Sequence, residues 1–151
     1  MSNFGSVDEI LDFAIAGEEE AAQFYTELAG KMEKPWMKIL FEEFSLEEMG
    51  HKAKLQGIKQ GKLMSATATK VMDLKIGDYL VDIEPKDDMN YQEALILAMQ
   101  KEKAAFKLYT DLAAKTDDEV VRSTMKVLAQ EEAKHKLRFE IEYDDNILRE
   151  N

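Results

Sequence analysis

The stretch "LEEMGHKAKL", residues 46–55, sets a glutamate and a histidine three residues apart in what is otherwise an oily helical stripe. In bundled helices the inward positions recur at alternating spacings of three and four. Here that series reads Met37, Phe41, Phe44, Glu48, His51, Leu55, Ile58, apolar on both sides of the polar pair. Glu47 would instead lead to Lys54 as its next inward partner, which places it on an exposed acidic face.

The stretch recurs. A shift of 84 residues sets Ala14–Lys52 on Ala98–Lys136 without a gap, and twelve pairs are identical, among them Glu18/Glu102, Tyr25/Tyr109, Glu48/Glu132 and His51/His135. The same shift sets Ser6 on Asn90 and Glu9 on Glu93, so a capping-box signature recurs as well. The chain is two copies of one unit.

Each copy predicts two helices, over about 6–33 and 35–61, then about 90–115 and 116–145. Pro35 opens the second, as a residue favoured in a first helical turn, and Thr116-x-x-Glu119 predicts a capping box at the fourth. Two hairpins that cannot each bury their stripe pack together, so the expected fold is all-α, a four-helix bundle. Residues 62–89 are long for a bundle connection and predict a crossover along the bundle, with a short helix over 71–80.

Composition agrees. With 45% hydrophobic and 34% charged residues, two prolines and seven glycines in 151 residues, the chain suits one soluble helical domain. A formal charge of −11 argues against nucleic acid or an anionic membrane as partner. The chain has no cysteine, which excludes disulfides, zinc–thiolate sites, iron–sulfur clusters and thiol catalysis. No signal peptide and no membrane span is visible, and a cytoplasmic protein is expected.

All four stripes are apolar except near the middle, where Glu18, Glu48, His51, Glu102, Glu132 and His135 intrude at similar depth. Glu19, Glu20, Glu47 and Glu131 fall off the stripe and read as a solvated face. Four carboxylates on one dry level repel one another, and each costs several kcal/mol to desolvate. Two divalent cations neutralise them, and carboxylate with imidazole suits iron, manganese or zinc. A Glu and a His at i and i+3 lie within about 5–6 Å on one helix face and can converge on one ion. One Glu from each of two helices plus Glu-x-x-His from each of the others is the pattern of di-iron and di-manganese carboxylate bundles.

"EEEAAQFYTELA" (18–29) with "EEMGHKAKL" (47–55), and "EKAAFKLYTDLA" (102–113) with "EEAKHKLRF" (131–139), resemble the two halves of the rubrerythrin-type di-iron domains of the ferritin-like superfamily. The likeness covers nearly the whole chain outside the crossover. It implies a ferritin-like bundle holding two iron ions, with Glu18 and Glu102 as terminal carboxylates, Glu48 and Glu132 as bridging ones, and His51 and His135 as imidazole ligands. It also implies reduction of hydrogen peroxide, with Glu48 and Glu132 absorbing the change in metal geometry and an external redox protein supplying electrons. Dioxygen as oxidant, in a ferroxidase, is the first alternative. A metal-supported scaffold without turnover is the second.

The sequence departs from that family in two respects. It has no cysteine with which to build the appended rubredoxin-like module, and Ala105 stands where the family carries a further glutamate. Met49 matches the haem methionine of bacterioferritins, yet reads more simply as an adaptable apolar residue, so haem is not expected. Tyr25 and Tyr109 lie two turns beyond Glu18 and Glu102 on the same stripe. They are either self-satisfied core tyrosines or groups that orient site carboxylates or donate an electron. Trp36 reads as a packing anchor. Phe13, Ile39, Leu46 and Leu97, apolar outside the stripe, suggest a homodimer.

Overall fold

The computed structural model describes residues 7–61 and 89–148. Ser6, most of the predicted crossover and its short helix over 71–80 lie outside the described residues. Among the described residues four α-helices form: α1 (Val7–Lys31), α2 (Pro35–Gly61), α3 (Tyr91–Lys115) and α4 (Glu119–Tyr143), the last running into a π-helical turn, Asp144–Leu148. No strand occurs among the described residues, and the architecture is a ferritin-like four-helix bundle. None of these helices is long and apolar enough to cross a membrane.

Local chemistry sets the helix ends. Pro35 starts α2 without needing a backbone donor, and the Lys34 carbonyl accepts from the backbone N–H groups of Met37 and Lys38. At α3 the Asn90 side chain accepts from the Glu93 N–H at 2.8 Å, while the Glu93 carboxylate accepts from the Asn90 N–H at 3.3 Å. This closes the capping box expected there.

The start of α4 corrects the expectation at 116. Thr116 closes α3 instead, its N–H still bonded to the Leu112 carbonyl at 3.2 Å and its backbone extended. Asp118 takes the cap, accepting from the Val121 N–H at 2.9 Å, and α4 begins at Glu119. An aspartate caps somewhat better than a threonine, and the Thr116 hydroxyl accepts instead from the Asp118 N–H at 3.2 Å, ahead of the helix.

Close backbone packing lies within each hairpin, α1 on α2 and α3 on α4, whereas the hairpins face one another at longer range. In the first hairpin the Ser45 hydroxyl bonds the Ala22 carbonyl and the Thr26 hydroxyl, each at 2.8 Å. The wider gap between hairpins holds two apolar clusters with a polar level between them. One cluster is aliphatic, around Leu11, Leu55, Leu112, Met125 and Leu128. The other is aromatic: Phe44 and Phe139 meet edge to face at 4.5 Å, and Tyr25 stacks on Phe41 at 6.2 Å. Trp36 is half exposed and packs edge-on against Tyr91 at 5.5 Å, as an anchor at the bundle's end.

Candidate metal centre

Glu18, Glu48, His51, Glu102, Glu132 and His135 are all buried, Glu132 completely. They come from four different helices and meet between the two clusters. His51 Nδ1 lies 2.6 Å from Glu132 Oε1, 3.4 Å from Glu48 Oε1 and 3.5 Å from Glu18 Oε2. His135 Nδ1 lies 3.2 Å from Glu48 Oε1 and 3.5 Å from Glu102 Oε1. The two imidazole rings are nearly parallel, 5.9 Å apart.

These six residues fall into two groups able to hold a cation. One is Glu18, Glu48, His51 and Glu132; the other is Glu48, Glu102, Glu132 and His135, with the ligand atoms of each within 4.8 Å of one another. Glu48 and Glu132 belong to both groups, so each can bridge two ions. Glu18 and His51 belong to the first group alone, and Glu102 and His135 to the second.

Glu18 and Glu102 each accept a hydrogen bond from a buried tyrosine. Tyr25 donates to Glu102 Oε1, and Tyr109 donates to Glu18 Oε1, each reaching across to the other copy of the repeat. Burial and the facing carboxylates push both phenols well above their ordinary range, so both keep their protons.

Inward-facing atoms are left over. Glu18 Oε2, Glu102 Oε2, Glu48 Oε1, both Glu132 oxygens and Nδ1 of both histidines are buried without a hydrogen-bond partner. A buried polar atom without a partner is costly, and here five carboxylate oxygens and two imidazole nitrogens share one small volume. Burial, then the charge of Glu102, holds Glu48 and Glu132 well above the usual carboxylate range. Burial alone would lower His135, but the facing carboxylates of Glu102 and Glu48 outweigh it and push the group up to about 11. Strong upward shifts concentrated in one buried cluster mark a candidate functional site. The donor set, oxygen with imidazole nitrogen, fits iron, manganese or zinc.

Glu47 has a contact that the stripe register does not show. Its side chain is 53% exposed, as the acidic-face reading expects, yet its carboxylate bonds Nε2 of His135. A carboxylate on the far nitrogen fixes the tautomer and leaves Nδ1 free to ligate. Glu19 does lie on the solvated face, paired with Lys52 at 3.3 Å. Met49 is exposed and Ala105 is half-buried.

A cavity of about 570 Å³ opens between α1 and α3 and reaches Glu18, Glu48 and Glu102. Ala21 and Ala105, equivalent positions in the repeat, line its walls.

The bundle and its paired Glu/His groups define a ferritin-like protein with a candidate dinuclear carboxylate centre. The family model for rubrerythrin matches residues 9–143, and the chain belongs to the rubrerythrin family. A crystal structure of a Thermotoga maritima protein, described as a ferritin-like diiron-carboxylate protein, superposes with a TM-score of 0.76 at 22% identity, covering 97% of this chain and 99% of that one. At that identity the likeness speaks to the fold. No curated protein matches the chain.

Proposed function

We propose that the protein is an oxidoreductase that reduces hydrogen peroxide at a dinuclear iron centre, taking electrons from an external donor protein. The observation that carries the metal reading is the overlap of two Glu/His groups that share Glu48 and Glu132. Family membership favours peroxide as the oxidant. Two ferrous ions, when bound, supply the two electrons that cleave the O–O bond of peroxide.

The chain's own contribution is positional. Glu18, Glu102, His51 and His135 would hold the ions from the outside, and Glu48 and Glu132 would hold them together. Tyr25 and Tyr109 each hold one oxygen of Glu102 and Glu18, which would fix both carboxylates in place for a cation. The two apolar clusters exclude bulk water above and below. Protons for the departing oxygens enter through the cavity, whose wall includes Glu18, Glu48 and Glu102.

One observation favours dioxygen as the oxidant. Ala105 leaves no further carboxylate one turn beyond Glu102, so the ligand set is that of a ferroxidase-type centre, with similar ligands in both redox states. Stopped-flow oxidation of anaerobically reduced, iron-loaded protein decides between them. Much faster reaction with peroxide than with dioxygen supports the proposal. The reverse order supports the ferroxidase, and reaction with neither leaves a metal-supported scaffold.

A further inference from the structure

We infer that the cavity between α1 and α3 binds a chain-like apolar molecule with one anionic end, of the class of medium-chain carboxylates. The inference rests on the metal reading of the same site, because the unneutralised carboxylates of Glu18, Glu48 and Glu102 at the cavity floor would repel an anion.

Size is the first argument. Ligand pockets run to about 300–1,000 Å³, and 570 Å³ lies inside that range. Peroxide and dioxygen need little more room than a water molecule, whose share of liquid volume is about 30 Å³. The oxidant alone leaves most of this space without a purpose.

The walls give the second argument. Gly17 sits in the middle of α1, where glycine weakens a helix relative to alanine, and a Cβ built there meets nothing within 4 Å. Packing among the described residues therefore does not require a glycine. What its missing side chain does is keep the cavity open.

The third argument is a polarity gradient. The repeat lines the cavity with equivalent positions, but two of them differ: Gly17 answers to Lys101, and Glu20 to Ala104. Positive charge therefore stands at one end only. The Lys101 side chain is 11% exposed; its Nζ lies 4.9 Å above the Phe24 ring and 3.4 Å from Oε1 of the exposed Glu20. Glu20 can swing into solvent and yield that ammonium to an anionic head. Phe13 and Leu108 line the other end. The ends are seven residues apart on each helix, about 10 Å, the reach of about eight extended carbons. A chain laid this way passes over Glu18 and Glu102.

The test uses zinc-loaded protein, in which no turnover occurs, and follows octanoate and 1-octanol by isothermal titration calorimetry, with metal content measured in every variant. Octanoate should bind wild type saturably at one per chain. Gly17→Leu, which fills the space, should weaken both ligands at least about tenfold. Ala104→Leu repeats that test from the facing helix if Gly17→Leu fails to fold. Lys101→Gln should weaken octanoate about tenfold and leave octanol within about twofold. Absence of saturable binding, or binding unchanged in both filled variants, overturns the inference, and an unchanged octanoate affinity in Lys101→Gln overturns the seat for the head. Peroxide oxidation of the iron-loaded protein is read separately. Octanoate binding without that oxidation removes the peroxide reading and keeps the cavity; oxidation without binding does the reverse.

Discussion

The Tyr109 hydroxyl donates to Glu18, a carboxylate 91 residues earlier in the chain and in the other copy of the repeat. Tyr25 does the same for Glu102. Each bond ties one hairpin to the other at the level of the metal groups.

Removing either hydroxyl should therefore be felt twice. Tyr25→Phe or Tyr109→Phe keeps the ring packing but strands a buried carboxylate oxygen, at a cost of about 1–3 kcal/mol in chemical denaturation. Metal affinity should fall about 10–100-fold, as when an outer partner of a ligand is lost. Competition titration against a chromophoric chelator measures the second effect. Unchanged stability and affinity would mean that the phenols merely fill space.

Glu47→Ala should likewise lower metal affinity about 10–100-fold, because His135 loses the carboxylate on Nε2. Glu19→Ala, which removes only a surface pair with Lys52, should change stability by less than about 1 kcal/mol and leave metal content alone. Equal and negligible effects from the two would remove Glu47 from the site.

Metal removal should lower the melting temperature substantially, since ions bind the folded state alone. The stripped protein should also have its own pH profile. Glu48, Glu132 and His135 all titrate above their ordinary values in that state. Protonation of each therefore favours the fold. The His135 contribution is complete below about 6.5 and is lost as pH rises to about 11. Melting of metal-free protein should thus fall from mildly acidic to alkaline pH, and Glu132→Gln should flatten that slope. The loaded protein should instead gain stability as pH rises from acid to neutral, because protons compete with metal for the same atoms. Parallel profiles for the two forms would contradict this account.

At the start of α4, Asp118→Ala should cost about 0.5–2 kcal/mol. Thermal unfolding of that variant beside Thr116→Val locates the cap. A larger loss from the Asp118 change follows from the bond to Val121.

The fold and the six polar residues could be read from sequence for one reason. Charged side chains inside otherwise apolar series are conspicuous, and the repeat shows them twice. What lay beyond reach depends on distances between hairpins. Glu47 points outward by register, and only the approach of α2 to α4 brings its long side chain to His135. The tyrosine partners are invisible for the same reason, since no periodicity says which copy a hydroxyl will meet. Thr116 was legible as a cap, but Asp118, two residues on, competes for the role and wins. The cavity could not be read at all, because Ala21 and Ala105 look the same in a filled core as beside an open one.

A single hairpin of this protein is half a machine, with one lone glutamate, one Glu-x-x-His and one tyrosine aimed at a partner it does not contain. Two identical hairpins meeting about a two-fold axis would complete the same ligand set. Joining them in one chain lifts the requirement that both halves be alike. Phe44 packs against His135 at 4.6 Å, whereas the position equivalent to Phe44 in the second copy is Leu128. Lys101 has only a glycine as its counterpart. The ligands keep the symmetry and the walls around them have abandoned it. The two ions such a centre accepts would sit in unlike surroundings, and so need not load, exchange or react in step.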